Sequence, residues 1–127
     1  MRGLLFPVAI AAALAGCSSF DEPAAVDVVA RFHTALNAGD WAGIDGLLTQ
    51  STRNLRPGSG TARAFRNIIA RHGPYTGGEL AGIDGKDGRI TIAWAARYEN
   101  RPVSELFVLV EEGGALKIDS YSDNAVP

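Results

Sequence analysis

The chain has 127 residues, 46% of them hydrophobic, with 12 Lys and Arg against 14 Asp and Glu and a formal net charge of −2. A length of this order suits one domain with one core, and a slightly acidic balance argues against nucleic acid or anionic lipid headgroups as the main partner, since either calls for a basic stripe. A single cysteine, Cys17, excludes an internal disulfide.

At the N-terminus, Arg2 is followed by an apolar run from Leu4 to Ala13 and then by Leu14-Ala15-Gly16-Cys17. A basic start, a short apolar stretch and small residues before a cleavage point are the pattern of a secretory signal. The run is shorter than the ~20 apolar residues of a spanning helix. Leu14-Ala15-Gly16-Cys17 resembles the lipobox of bacterial lipoproteins. That resemblance implies cleavage before Cys17, acylation of its thiol with palmitate-type chains, and acylation of the new amino group. Residues 1–16 are then the signal peptide, 17–23 the lipidated cysteine and tether, and 24–127 a single domain of ordinary size. Several acyl chains, at ~0.8 kcal/mol per buried methylene, hold a protein to a membrane far better than one. Ser18 stands where this family often carries an aspartate for inner-membrane retention. The expected address is the cell envelope, with the outer membrane facing the periplasm favoured.

Pro23 to Ala38 reads as a helix: Asp21 is placed to cap it, Pro23 suits its first turn, and Val28, Val29, Phe32, Ala35 and Leu36 form an apolar stripe. Gly39 suits a left-handed C-terminal stop. Asp40 is an N-cap for a short second helix, Trp41 to Leu48, burying Trp41, Ile44 and Leu48. Ser51 to Gly60 is a loop, and Thr61 caps a third helix running to His72 with Phe65, Ile68, Ile69 and His72 on one face. Arg53, Arg56, Arg63, Arg66 and Arg71 read as the solvated surface of this region.

After Gly73-Pro74 the spacing changes from helical to alternating. Tyr75 to Ile83 is a strand with a bulge near Gly77-Gly78, and Asp84 to Gly88 is a turn. Arg89 to Glu99 is a second strand with Ile90, Ile92, Trp94, Ala96 and Tyr98 on one face and Thr91, Ala93, Ala95 and Arg97 on the other. Asn100-Arg101-Pro102 turns into Val103 to Glu111, whose run Leu106 to Val110 is apolar on both faces, as in a central strand. Glu112-Gly113-Gly114 turns into a last strand, Ala115 to Ser122. The small-residue face of the second strand is a surface for a homodimer or for solvent.

The fold class expected is therefore α+β, with three N-terminal helices packed on a curved four-stranded antiparallel sheet. Residues 24 to 123 resemble the nuclear-transport-factor-2-like cone, also called the cystatin-like α+β fold. The resemblance is carried by Phe32-x-x-Ala35-Leu36-x-x-Gly39-Asp40-Trp41 and by the closing strand pair, Val110-Glu111-Glu112-Gly113-Gly114 into Lys117-Ile118-Asp119-Ser120-Tyr121. It implies a cone that holds a small apolar molecule or a protein partner, and in some members, such as ketosteroid isomerases and dehydratases, a proton-transfer site.

Proton transfer needs a carboxylate or imidazole in a dry pocket and a donor for the developing oxyanion. Candidate bases are His33, Asp40 and Glu105, and candidate donors Tyr98 and Tyr121. The ketosteroid isomerase pattern itself, with a tyrosine on the first helix, is not reproduced. Candidates for lining a ligand are Phe32, Trp41, Trp94, Tyr98 and Phe107. Two isolated histidines give no metal site. Gly58-Ser59-Gly60 follows no strand and so carries no phosphate or dinucleotide motif, and no cofactor is expected. Ser51, Ser59 and Ser104 lack a nucleophile elbow. Two functions remain: a non-catalytic envelope lipoprotein binding a small hydrophobic ligand or an envelope protein, and a small lyase or isomerase acting on an apolar substrate. An acid–base pair deep in an open pocket, with a tyrosine within reach, would separate them.

Overall fold

The computed structural model describes residues 20–126. Cys17, the expected signal peptide and the first residues of the expected tether lie outside the described residues. Helix α1 spans Glu22–Ala38. Local chemistry sets both of its ends: the Asp21 carboxylate accepts from the Ala24 amide at 3.0 Å, and Gly39, at φ 66°, closes the last turn with its own N–H. The helix begins one residue before the position expected, and the polar tether ends sooner. Phe20 is already packed against the core, its ring lying where a Cβ on Gly85 would have to sit.

The remaining helical segments are short: α2 (Trp41–Asp45), α3 (Gln50–Arg53), α4 (Gly60–Ala64) and α5 (Arg66–His72). Asp40 caps α2 through the Gly43 amide at 2.9 Å, as its position suggests. Elsewhere the helical reading needs correction, because five helical segments are described where three were expected. The stretch 51–60 opens with the C-terminal part of α3, a one-turn helix capped by Thr49 rather than a plain loop. The single helix expected from Thr61 is two. At Phe65 the bonds tighten to the i−3 pattern, Phe65 N–H to Ala62 O and Ile68 N–H to Phe65 O, which breaks the continuous α ladder. Thr61 does not cap; its hydroxyl donates to Arg53 O.

Strands β1 (Tyr75–Lys86), β2 (Arg89–Tyr98), β3 (Arg101–Glu112) and β4 (Ala115–Ala125) form one antiparallel sheet in sequence order. The architecture is α+β. Three two-residue turns join the strands, so β1 runs on to Lys86, and β4 runs on to Ala125 by pairing with the start of β3. Asp87 and Gly88 both have positive φ, the geometry that matches the right-handed twist of a hairpin. The register of β1 slips twice against β2, between Tyr75 and Gly77 and between Leu80 and Gly82, which places irregularities on both sides of the expected Gly77-Gly78 bulge.

The core lies between α1 and one face of the sheet. Val28, Val29, Phe32 and Leu36 meet Ile90, Ile92, Val103, Phe107, Leu109 and Ile118, all buried, and each large side chain contributes about 1.5–3 kcal/mol by leaving water. The apolar alternation of β2 is reproduced residue for residue, except that Trp94 is only half-buried. Among the described residues, nothing buries the opposite face of β3. Leu106 is 43% exposed there, so the two-sided apolar run reflects a central place in the sheet and not burial on both faces.

Candidate functional site

In β3 the inward positions are Val103, Glu105, Phe107 and Leu109, so a carboxylate occupies a phase that is otherwise apolar. Glu105 is 1% exposed. An unsolvated carboxylate is tolerated only when its oxygens are occupied, and three side chains from three elements occupy them. His33 on α1 donates from Nε2 to Oε1 at 2.8 Å. Tyr98 at the end of β2 donates to Oε2 at 2.6 Å, and Tyr121 on β4 donates to the same oxygen at 2.5 Å.

Both phenols are pushed far above their ordinary pKa. Burial is the larger cause for each, and the Glu105 charge beside them adds to it. They therefore remain protonated donors throughout the physiological range. The Tyr75 ring stacks on the His33 imidazole at 3.7 Å with an interplanar angle of 4°, and its hydroxyl accepts from Trp94 Nε1 at 3.1 Å. His33 Nδ1 is buried without a partner. The imidazole is thus held by one polar contact at Nε2 and by ring stacking.

The fold brings together four of the five proton-transfer candidates, Glu105, His33, Tyr98 and Tyr121, whereas Asp40 lies elsewhere, engaged with Gly43. Neither groove described below is lined by Glu105, His33 or Tyr98, and only Tyr121 of the four reaches one. The interior next to the network is filled by rings: Phe32 sits 5.2 to 5.4 Å, centroid to centroid, from His33, Phe65, Phe107 and Tyr121. Of the suggested ligand-lining residues, Phe32, Phe107 and Tyr98 are buried core, and Trp41 and Trp94 are half-buried and packed on it.

Two surface grooves stand out among the described residues, and neither was evident in the sequence. A groove of about 740 Å³ runs between the start of α1 and the β1–β2 and β3–β4 turns, with Phe20, Val28, Ile90 and Leu116 on its floor and Asp27, Arg31, Lys86 and Glu111 among its charged rim. A smaller one of about 270 Å³ lies between the α3–α4 loop, α5 and β4, lined by Leu55, Arg56, Phe65, Ile68, Arg71 and Tyr121, with Asp123 at its edge. None of Glu105, His33 and Tyr98 lines either groove; Tyr121 alone joins the buried network to the smaller one.

His72 was expected on the apolar face at the end of the third helix. It is in the last turn of α5, but it is also buried and bonded through Nε2 to Asp123 at 3.1 Å, a carboxylate it shares with Arg71 at 3.0 Å. Asp119 is held below the ordinary carboxylate range, chiefly by Arg89 at 2.9 Å and also by Thr49. Among the described residues, no three His, Cys, Asp or Glu side chains converge as metal ligands would. Comparison of the chain with protein-family models and with curated proteins gives no match.

Proposed function

We propose that this chain is a cell-envelope lipoprotein, anchored through lipid on Cys17 at the periplasmic side of the outer membrane, whose non-catalytic domain binds a small hydrophobic ligand. The domain is read as a cone of the nuclear-transport-factor-2-like type with its interior filled. The anchor rests on Leu14-Ala15-Gly16-Cys17 and the apolar run before it. The non-catalytic reading rests on one observation above all: both oxygens of Glu105 are occupied and the side chain is sealed from solvent. A general base must come within hydrogen-bond reach of the proton it removes, and here any substrate would first have to displace a phenol or an imidazole.

The second reading, a small lyase or isomerase, is favoured by the convergence of a carboxylate, a histidine and two tyrosines. It requires the Tyr121 side of the network to open. Labelled palmitate fed to cells producing the wild-type chain or Cys17→Ser tests the anchor: label on wild type and none on the variant supports it, and equal fractionation of both with membranes overturns it. Mass spectrometry of small molecules and proteins that co-purify from solubilised membranes tests the rest. A recurrent apolar small molecule supports ligand binding. A stoichiometric protein partner, or a dimer through the uncovered sheet face, would replace that reading.

A further inference from the structure

We propose that the smaller groove, between the α3–α4 loop, α5 and β4, is a binding site for a small carboxylate with an apolar body, such as an aryl or short acyl acid. The inference builds on the ligand-binding reading above and names its site and ligand class. Three observations converge on it. Its lining is mainly apolar, with Ala64, Phe65, Ile68 and Tyr121 beside the polar Thr61 and Asn67. At its lip stands Leu55, which is 74% exposed, the most exposed large apolar side chain among the described residues. Water contact on an isolated Leu is ordinary, but on the rim of an apolar groove it is surface that an occupant would cover.

The third observation is charge. Arg56 and Arg71 flank the groove, and Asp123 is the only carboxylate lining it. Asp123 is engaged by Arg71 and faced by His72. Arg56 has no carboxylate within ion-pair distance among the described residues. The rim thus carries one guanidinium more than it neutralises, and a guanidinium fork matches a carboxylate in shape as well as in sign. The volume of about 270 Å³ lies just below the usual range for drug-sized ligands, which restricts the body to one ring or a short chain. The larger groove offers no such selection, since its rim mixes Asp27 and Glu111 with Arg31 and Lys86.

The full chain in zwitterionic phosphatidylcholine nanodiscs can be titrated with 4-fluorocinnamate and, separately, with its neutral amide, following the fluorine resonance and subtracting empty discs. The expected result is saturable binding of the carboxylate, with the amide weaker by about tenfold, and a similar loss for Arg56→Gln. Leu55→Ser weakens both probes, and Arg31→Gln, in the larger groove, leaves both unchanged. Arg56 and Leu55 are surface residues, so near-UV circular dichroism should show all variants folded. Equal affinity for acid and amide, insensitivity to Arg56→Gln, or absence of saturable binding each overturns the proposal. Binding that falls with Arg31→Gln instead would overturn this site while leaving an apolar-ligand function standing.

Discussion

Glu105→Gln separates a structural carboxylate from a catalytic one. The amide keeps the size of the side chain, and its carbonyl can still accept from Tyr98 and Tyr121 at the place of Oε2. On the other side the Gln amino group faces His33 Nε2, which must then accept. The imidazole proton moves to Nδ1, which is buried and without a partner. Nδ1 already lacks a partner, so exchanging an unpaired acceptor for an unpaired donor there adds about 1 kcal/mol, and replacing charge-assisted bonds by neutral ones costs about 1 kcal/mol more for each bond that persists. Relief from burying a charge offsets part of this, so a net loss of about 2–4 kcal/mol is expected. For a domain of this size that is a fall of roughly 8–20 °C in Tm, measurable by calorimetry at neutral pH. Combining Glu105→Gln with Tyr121→Phe in a double-mutant cycle should give a coupling of about 1 kcal/mol, the charge-assisted part of the bond, because the Gln carbonyl still accepts from Tyr121. An unchanged or raised Tm would refute the reasoning. It would mean that the carboxylate is held against stability, as catalytic groups are, and would move the weight to the lyase or isomerase reading.

Stability should also decline in alkali. A phenol whose folded pKa is raised stabilises the fold fully below its unfolded value near 10, and that contribution is lost as pH rises through the higher folded value. Tyr98 and Tyr121 each contribute a slope of about 1.4 kcal/mol per pH unit above pH 10, and denaturant melts of Tyr98→Phe and Tyr121→Phe should each lack one such share; parallel curves for wild type and variants would contradict this. Trp94→Ala should cost about 1.5–3 kcal/mol, less than the ~3–5 of a fully buried aromatic, because the ring is half-buried and its Nε1 bonds the Tyr75 hydroxyl. Chemical denaturation measures it, and a loss at the full-core value would mean that the ring is more deeply enclosed. Removing residues 1–19 should leave a cooperative melt of unchanged midpoint. Removing 1–22 should cost about 2 kcal/mol by deleting the Asp21 cap and the Phe20 ring against Gly85, and equal midpoints for the two truncations would show that neither contact matters.

The parts of this protein that were legible in its sequence are those whose causes are local. Asp21, Pro23 and Gly39 bound α1 through contacts within four residues, Asp40 caps α2 in the same way, and strict alternation over Ile90 to Tyr98 assigns the inner face of β2. The inward phase of Glu105 could also be read, because its neighbours at two-residue spacing are Val103 and Phe107. Tertiary structure alone decided what surrounds that carboxylate. His33 is 72 positions away from it and Tyr121 is 16, and no periodicity links residues drawn from a helix and two further strands. The same holds for the break at Phe65, whose ring packs between Phe32 and Tyr121, contacts with no trace in the helical spacing around it. The two grooves were the least legible of all. Part of their walls comes from loop and turn residues such as Leu55, Arg56, Asp87 and Gly114, and empty space is a property of how packed elements fail to meet rather than of any residue's own preference.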